Sequence, residues 1–334
     1  MENITTLYPI SEVTFLYNTS SNIPDYYDYE DEYYEKSHIY YFTLVVFSLD
    51  ILLGTTVNGL VLFFTTFKMK KTVNVIWLLN LSLADFTFTL FLPLSIIYLV
   101  NNFNWTFGNF MCKLNTMVAF INLFASVFLL TVISIDRCIS VIFPVWCQNH
   151  RTPRLALFVV MGVWILAIMF SLPYFIFRDT FEDIDGTICY NNFNRGESED
   201  IGISRHRGTV IMRSIVGFFI PFTIIVTCYS VIALRIQKKR KTTSRKPFKV
   251  IIAVLISFFI CYAPYQIFTF LELHSLSRND DYLHNILLVG IPLASNLAFL
   301  KKCVNPFLYA FISQDFRNTF WKSVNSLFKK GLYA

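Results

Sequence analysis

Seven long apolar stretches decide what solvent this chain folds in. They run roughly over 39–67, 73–100, 110–142, 155–177, 208–234, 248–273 and 283–312. A helix rises about 1.5 Å per residue, so about 20 mostly apolar residues cross the ~30 Å hydrocarbon core of a bilayer. One such stretch could be a buried helix of a soluble core, but seven in series leave too little surface to face water. Hydrophobic residues make up 55% of the 334 positions and charged residues only 15%, too few charges to cover a soluble protein. The expected fold class is an all-α membrane protein, a seven-transmembrane helix bundle over 38–312. Lys301 and Lys302 interrupt the seventh stretch.

Basic residues set the orientation, because they are retained on the cytoplasmic side. Residues 1–37 carry eight carboxylates, the last of them Glu35, against the single Lys36. Positions 235–249 carry eight basic residues and no acid, and Lys68, Lys70, Lys71, Arg151 and Arg154 follow the first and third stretches. The acidic N-terminus is therefore expected outside, in a multi-pass protein of the plasma membrane. The net charge of +6 is mostly this inside bias and implies no nucleic-acid partner. Sequons at Asn3 and Asn18 lie on the outer tail and are expected to be glycosylated. The sequon at Asn104 lies close to the bilayer and is expected to stay unmodified.

Both ends differ from the bundle. Residues 1–37 are too charged to fold alone and read as an extracellular disordered tail. Within it Tyr26, Tyr27, Tyr29, Tyr33 and Tyr34 are flanked by acids, as sulfation sites are, and the stretch would attract a basic ligand. No basic n-region or early apolar run marks a cleavable signal peptide. Residues 313–334 place Phe316, Phe320, Val324, Leu327 and Phe328 at helical spacing beside Arg317, Lys322, Lys329 and Lys330. That pattern predicts an amphipathic helix lying against the lipid of the inner leaflet.

Seven cysteines show no zinc spacing, so no metal and no cofactor are expected. Five scattered histidines and the lack of paired carboxylates build no catalytic site, so the chain is not expected to be an enzyme. A transporter would show repeated halves with broken helices.

Polar residues at membrane depth are costly and mark function. Asn58 lies in the first stretch, Asp85 in the second, and Asn122, Ser126 and Asp136-Arg137-Cys138 in the third. Trp164 marks the fourth stretch, and Pro221 and Tyr229 the fifth. Cys261-Tyr262-Ala263-Pro264 sits in the sixth, and Asn305-Pro306-Phe307-Leu308-Tyr309 closes the seventh. In this order and spacing, they resemble the rhodopsin-like G-protein-coupled receptors over about 38–330. That resemblance implies a bridge between Cys112 and Cys189. It also implies that Asp136 holds Arg137 in an intrahelical ion pair, released when the sixth helix swings out to admit a G-protein helix. Tyr229, Tyr262, Pro264, Asn305, Pro306 and Tyr309 then belong to the activation machinery. Trp105 is expected to pack under the bridge.

Two departures from the family pattern stand out. Tyr262 replaces the usual Trp, and Lys301-Lys302 replaces the usual Asn-Ser beside a sodium ion held by the residue matching Asp85. A lysine at this depth costs about 2.5–3.5 kcal/mol unless paired. An ammonium, from Lys301, is therefore expected to replace sodium against Asp85, leaving Lys302 to find a carbonyl or snorkel.

The outer half narrows the ligand. Thr116–Phe120 carries no acid to pair an amine, and no lysine stands where the retinal Schiff base forms. Arg213 is expected to face inward, with Arg178, Arg205 and Arg207 near the mouth; an arginine fork suits a carboxylate. Stretches at 68–74, 143–152 and 313–317 resemble the chemoattractant peptide receptors, and those at 177–180, 189–193 and 271–274 most resemble chemerin receptors. The resemblance implies a peptide or small protein led by its free C-terminal carboxylate, met by Arg213 and Glu272, with a heterotrimeric G protein of the Gi type inside. The alternatives are a formyl-peptide or anaphylatoxin receptor, or a receptor that scavenges ligand without signalling.

Overall fold

In the computed structural model, residues 28–184, 186–238, 246–276 and 281–312 are described, with side chains over 38–182, 184, 186–235, 257–275, 282–283 and 286–300. The first span consists of α1 (Asp28–Leu49), a π-helical turn Asp50–Gly54, α2 (Thr55–Phe63) and a second π-helical turn Phe64–Lys68. Then follow α3 (Val73–Val100), α4 (Gly108–Ile142), the short α5 (Pro144–His150) and α6 (Pro153–Ile176). A hairpin of β1 (Arg178–Asp183) and β2 (Gly186–Asn191) leads to α7 (Glu199–Ser214), a π-helical turn Ile215–Phe219 and α8 (Ile220–Lys238). The last two are α9 (Lys246–Leu276) and α10 (Asp281–Ile312).

Among the described residues, five spans are long and apolar enough to cross a membrane: His38–Lys68, Val73–Val100, Gly108–Ile142, Pro153–Ile176 and Glu199–Arg235. α9 and α10, with 31 and 32 residues, supply the length of the sixth and seventh. Large apolar side chains stay exposed along α6, among them Phe158, Met161, Ile165 and Met169. Contiguous apolar surface of this kind faces lipid.

Local chemistry explains where helices start. Thr72 and Thr152 adopt extended backbone and accept the amides of Val75 and Leu155 on their hydroxyls, capping α3 and α6 at the cytoplasmic side. Pro153 sits in the first turn of α6, where its missing N–H costs nothing. Pro93, Pro173 and Pro264 lie inside α3, α6 and α9.

The central core joins Trp77 and Leu81 of α3, Leu130 of α4, Val163 of α6, Phe218 of the π turn before α8, and Phe258 and Tyr262 of α9. Trp164 donates to Asn80 Oδ1 at 3.1 Å, tying α6 to α3. Among the described residues, Cys138, Cys147, Cys228 and Cys261 are free thiols.

Two boundaries differ from the sequence expectation. The fifth span begins at Glu199, not near 208, because a polar helical turn with acids at its start carries the apolar helix outward. The outer connection between the fourth and fifth spans contains the antiparallel hairpin, with Thr180 opposite Cys189. The first helix begins at Asp28, inside the stretch read as tail. Extending an existing helix needs no new nucleus, so a polar segment can continue it. Asn3, Asn18, Tyr26, Tyr27 and the amphipathic segment 313–334 lie outside the described residues, as do the side chains of Tyr29, Tyr33 and Tyr34.

Candidate functional site

A cleft opens between the spans toward the outer side. Tyr262 lines its deep end, Phe88, Phe120, Tyr265 and Phe299 line its walls, and Arg178 and Cys189 close it from the hairpin. The Cys112–Cys189 disulfide pins β2 to the start of α4. Under it Trp105 is 3% exposed, packs with Tyr98, and donates to the Gly108 carbonyl at 2.9 Å. The expected bridge and its tryptophan support are therefore both present.

Arg178 is 5% exposed and spends its guanidinium on the hairpin. It donates to Asn191 Oδ1 at 2.9 Å, to the Cys189 carbonyl at 3.1 Å and to the Cys189 sulfur at 3.2 Å. Outside the spans, partial burial works against the Asp179 carboxylate. Hydrogen bonds from Asn109, the Thr180 amide and Asn192 outweigh it and hold the group below its usual range. The hairpin is thus fastened by three independent devices: the bridge, Arg178 and Asp179.

Arg213 is 1% exposed, and its guanidinium carbon lies 4.9 Å from the Tyr265 ring centroid and 5.8 Å from that of Phe120. Both rings line the cleft, so Arg213 stands one layer behind its wall. Next to it the Ser214 hydroxyl donates to Gln266 Oε1 at 2.8 Å, joining α7 to α9. Glu272 is 2% exposed and follows Tyr265 by seven residues on α9, two turns farther out on the same face. Arg207 is exposed, whereas His206, Thr209, Val210 and Arg213 are buried. The helical phase that turns Arg213 inward therefore turns Arg207 outward, away from the cleft. Arg205 bonds Glu197 and the carbonyls of Phe193 and Asn194 at the mouth.

Below the cleft, Asp85 is fully buried and accepts from Asn122 Nδ2 at 2.9 Å and from Ser126 Oγ at 3.3 Å. Tyr262 lies within electrostatic reach of Asp85. Asn58 is fully buried, and neither of its side-chain polar atoms has a hydrogen-bond partner among the described residues. The polar set read from the sequence is thus partly assembled around Asp85. A buried acid was overlooked: Asp50, 1% exposed, in the first span. An ionisable residue inside an apolar run was the signal that should have exposed it. Lys301, Lys302, Asn305, Pro306 and Tyr309 lie on α10, and their side chains are outside those described.

At the cytoplasmic end one expectation needs correction. Asp136 is clasped by Arg151, through Nε to Oδ1 at 2.7 Å and Nη2 to Oδ2 at 2.8 Å. Arg151 Nη2 also donates to Asn74 Oδ1. The carboxylate thus gives its bidentate contact to the loop arginine rather than to Arg137. The planar fork of Arg151, presented after α5, fits both oxygens at once, while Arg137 stays within the field of the same carboxylate. This bond pushes the Arg151 pKa up. Tyr229 is buried and lies within reach of Ser134 and Arg137. The partner of Asp136 was illegible because it lies fifteen residues away, beyond a turn and a short helix.

Comparison with known proteins agrees with this arrangement. Residues 57–309 match the model of the 7 transmembrane receptor (rhodopsin family). The human Chemerin-like receptor 1 is 43% identical over 302 residues, covering 86% of this chain and 80% of the relative. The mouse Chemerin-like receptor 1 is 44% identical over 288 residues, covering 83% and 76%. The Chemerin-like receptor 2 of Macaca fascicularis is 41% identical over 312 residues, covering 92% and 87%. Spans, polar core, bridged hairpin and these similarities agree: the chain is a multi-pass plasma-membrane receptor, not an enzyme, and belongs to the rhodopsin family of seven-transmembrane receptors.

Proposed function

We propose that this receptor binds a chemoattractant peptide or small protein of the chemerin type and signals through a Gi protein. The observation that carries the ligand reading is Arg213, a buried guanidinium behind the aromatic wall of a largely apolar cleft. A peptide entering with its free carboxylate first would bring a negative charge against Phe120 and Tyr265, within the field of that cation. Arg178 would hold the hairpin roof, Glu272 would meet a polar or basic ligand residue nearer the mouth, and Arg207 would touch only the ligand's outer body. The acidic tail, sulfated on Tyr26, Tyr27, Tyr29, Tyr33 and Tyr34 and glycosylated at Asn3 and Asn18, would hold a basic ligand close. The names of the similar receptors support the ligand class.

The ligand reading is tested by competition at the cell surface. A labelled C-terminal chemerin peptide should be displaced by its unlabelled free acid, and not by formyl or anaphylatoxin peptides. Displacement by either of those peptides, with no chemerin binding, would replace the ligand class.

In the coupling half, Asp136, Arg137, Tyr229, Tyr262, Pro264, Asn305, Pro306 and Tyr309 would carry the change from cleft to cytoplasm. Arg151 keeps the Asp136 carboxylate occupied, so Arg151→Ala should return it to Arg137 and strengthen the resting pair. For a partly exposed ion pair this is worth about 1 kcal/mol, so basal nucleotide exchange on Gi should fall roughly fivefold. Basal exchange that stays level or rises in receptor-containing membranes would count against this arrangement.

In the polar core, Lys301 would take the place of a sodium ion against Asp85. Ligand affinity should therefore stay within about twofold when sodium is replaced by a large organic cation at ~0.15 M ionic strength. A clear sodium-dependent loss of affinity would remove this reading. Lys301, Lys302 and Tyr262 also favour a second reading, a receptor that binds and clears ligand without activating a G protein.

A further inference from the structure

The bridge, Arg178 and Asp179 all grip the base of the outer hairpin. Arg178 bonds Asn191 across it, Asp179 accepts from Asn192, and the bridge holds Cys189 opposite Thr180. Beyond Cys189 the turn half lies open to water, with Phe181 38% exposed and Ile184 fully exposed. Held only at its base, that half would lever about the bridge.

Asn104, in the connection between α3 and α4, meets the turn half. Its Oδ1 accepts the Thr187 amide at 3.0 Å, and the next residue, Trp105, donates its amide to the Thr187 carbonyl at 2.7 Å. The connection is shaped for this contact. Asn102 and Phe103 stand at φ of 52° and 61°, a left-handed conformation that a bulky residue keeps only where neighbours hold it. Tyr98 holds Phe103, amide to carbonyl at 2.9 Å and ring to ring at 5.6 Å. The hairpin is shaped for the contact too. Gly186 has φ of 137°, and a Cβ there would stand 2.7 Å from Asn104 Cγ and Oδ1 and 3.1 Å from Nδ2.

We propose that Asn104 is a positioning residue, a latch whose carboxamide seats against Gly186 and fixes the cleft's wall to its roof. Trp105 and Cys189 both line the cleft; the first adjoins Asn104, and the second lies on the same strand as Thr187. The sequon at Asn104 is thereby closed to sugar, because a glycan would attach at the Nδ2 that lies against Gly186. The latch depends on neither the ligand nor the coupling reading.

The test reads the hairpin without a ligand. Cells displaying the full chain with an N-terminal epitope are treated with a membrane-impermeant phosphine reductant. Thiols freed at Cys112 and Cys189 are trapped from outside with an impermeant maleimide. Label per surface receptor, with unreduced cells as the blank, gives the rate at which local opening exposes the buried bridge. Losing the hydrogen bond in Asn104→Ala should raise that rate about fivefold. Gly186→Ala should match or exceed it, and the two together should be no faster than the faster single, because both break one contact. Asn104→Asp keeps the acceptor and Thr106→Ala removes only the sequon, so both should stay within about twofold of wild type. The latch is overturned if Asn104→Ala opens at the wild-type rate or if its effect and that of Gly186→Ala multiply. It is also overturned if Thr106→Ala opens as fast as Asn104→Ala, which would give the role to a sugar.

Discussion

Arg213→Ala is expected to weaken binding of a peptide ending in a free carboxylate by roughly 30- to 150-fold. The guanidinium sits 4.9 Å from the Tyr265 ring and 5.8 Å from the Phe120 ring, both on the wall of the cleft. A carboxylate resting against those rings would feel a full charge at about 6–8 Å. At an effective dielectric near 20 that is worth about 2–3 kcal/mol, and each 1.4 kcal/mol is tenfold in affinity. Amidating the peptide C-terminus should cost wild type the same factor and cost Arg213→Ala almost nothing more. That cycle isolates the charge pair from any general loosening of the α7–α9 contact at Ser214 and Gln266. If amidation costs both receptors equally, Arg213 does not read the carboxylate.

Breaking the Cys112–Cys189 bridge should have an effect of similar size by a different route. The bridge closes 77 positions of chain, and native disulfides typically contribute about 2–5 kcal/mol. Here that free energy holds the roof. Cys189 lines the cleft, its carbonyl and sulfur anchor Arg178, and the Trp105 amide donates to Thr187 O on the same strand at 2.7 Å. Cys189→Ser should therefore lower both surface expression and affinity, the latter by about 100-fold or more. Cys112→Ser with Cys189→Ser should be no worse than either change alone, because the two sulfurs act as one unit. Affinity that survives both single changes would mean that Arg178 and Asp179 hold the hairpin without the bridge.

Apolar periodicity and depth made the bundle legible, because both are local properties of the chain. Asp85, Asn122 and Ser126 were readable for the same reason: each is a polar group where hydrocarbon is expected, and the structure brings them together. What escaped depends on contacts between distant segments. Arg151 is an ordinary loop arginine until the turn after α4 places it against Asp136. The hairpin after α6 carries no apolar alternation strong enough to announce two strands; its pairing is fixed by Cys189 and Arg178. Arg207 is exposed while Arg213 is buried, because nearness in sequence says nothing about helical phase. Asp50 was legible by the rule that found Asp85, an acid inside an apolar run.

The central claim is that an outer ligand changes the state of a G protein through this chain. It is tested most directly by cyclic-AMP inhibition in cells displaying the full receptor and given a chemerin C-terminal peptide. The account predicts inhibition by the free acid, a large rightward shift when the peptide is amidated, and loss of response in Arg137→Ala despite retained binding. Saturable surface binding with no change in cyclic AMP, in wild type and Arg137→Ala alike, would contradict it and leave a receptor that captures its ligand without signalling.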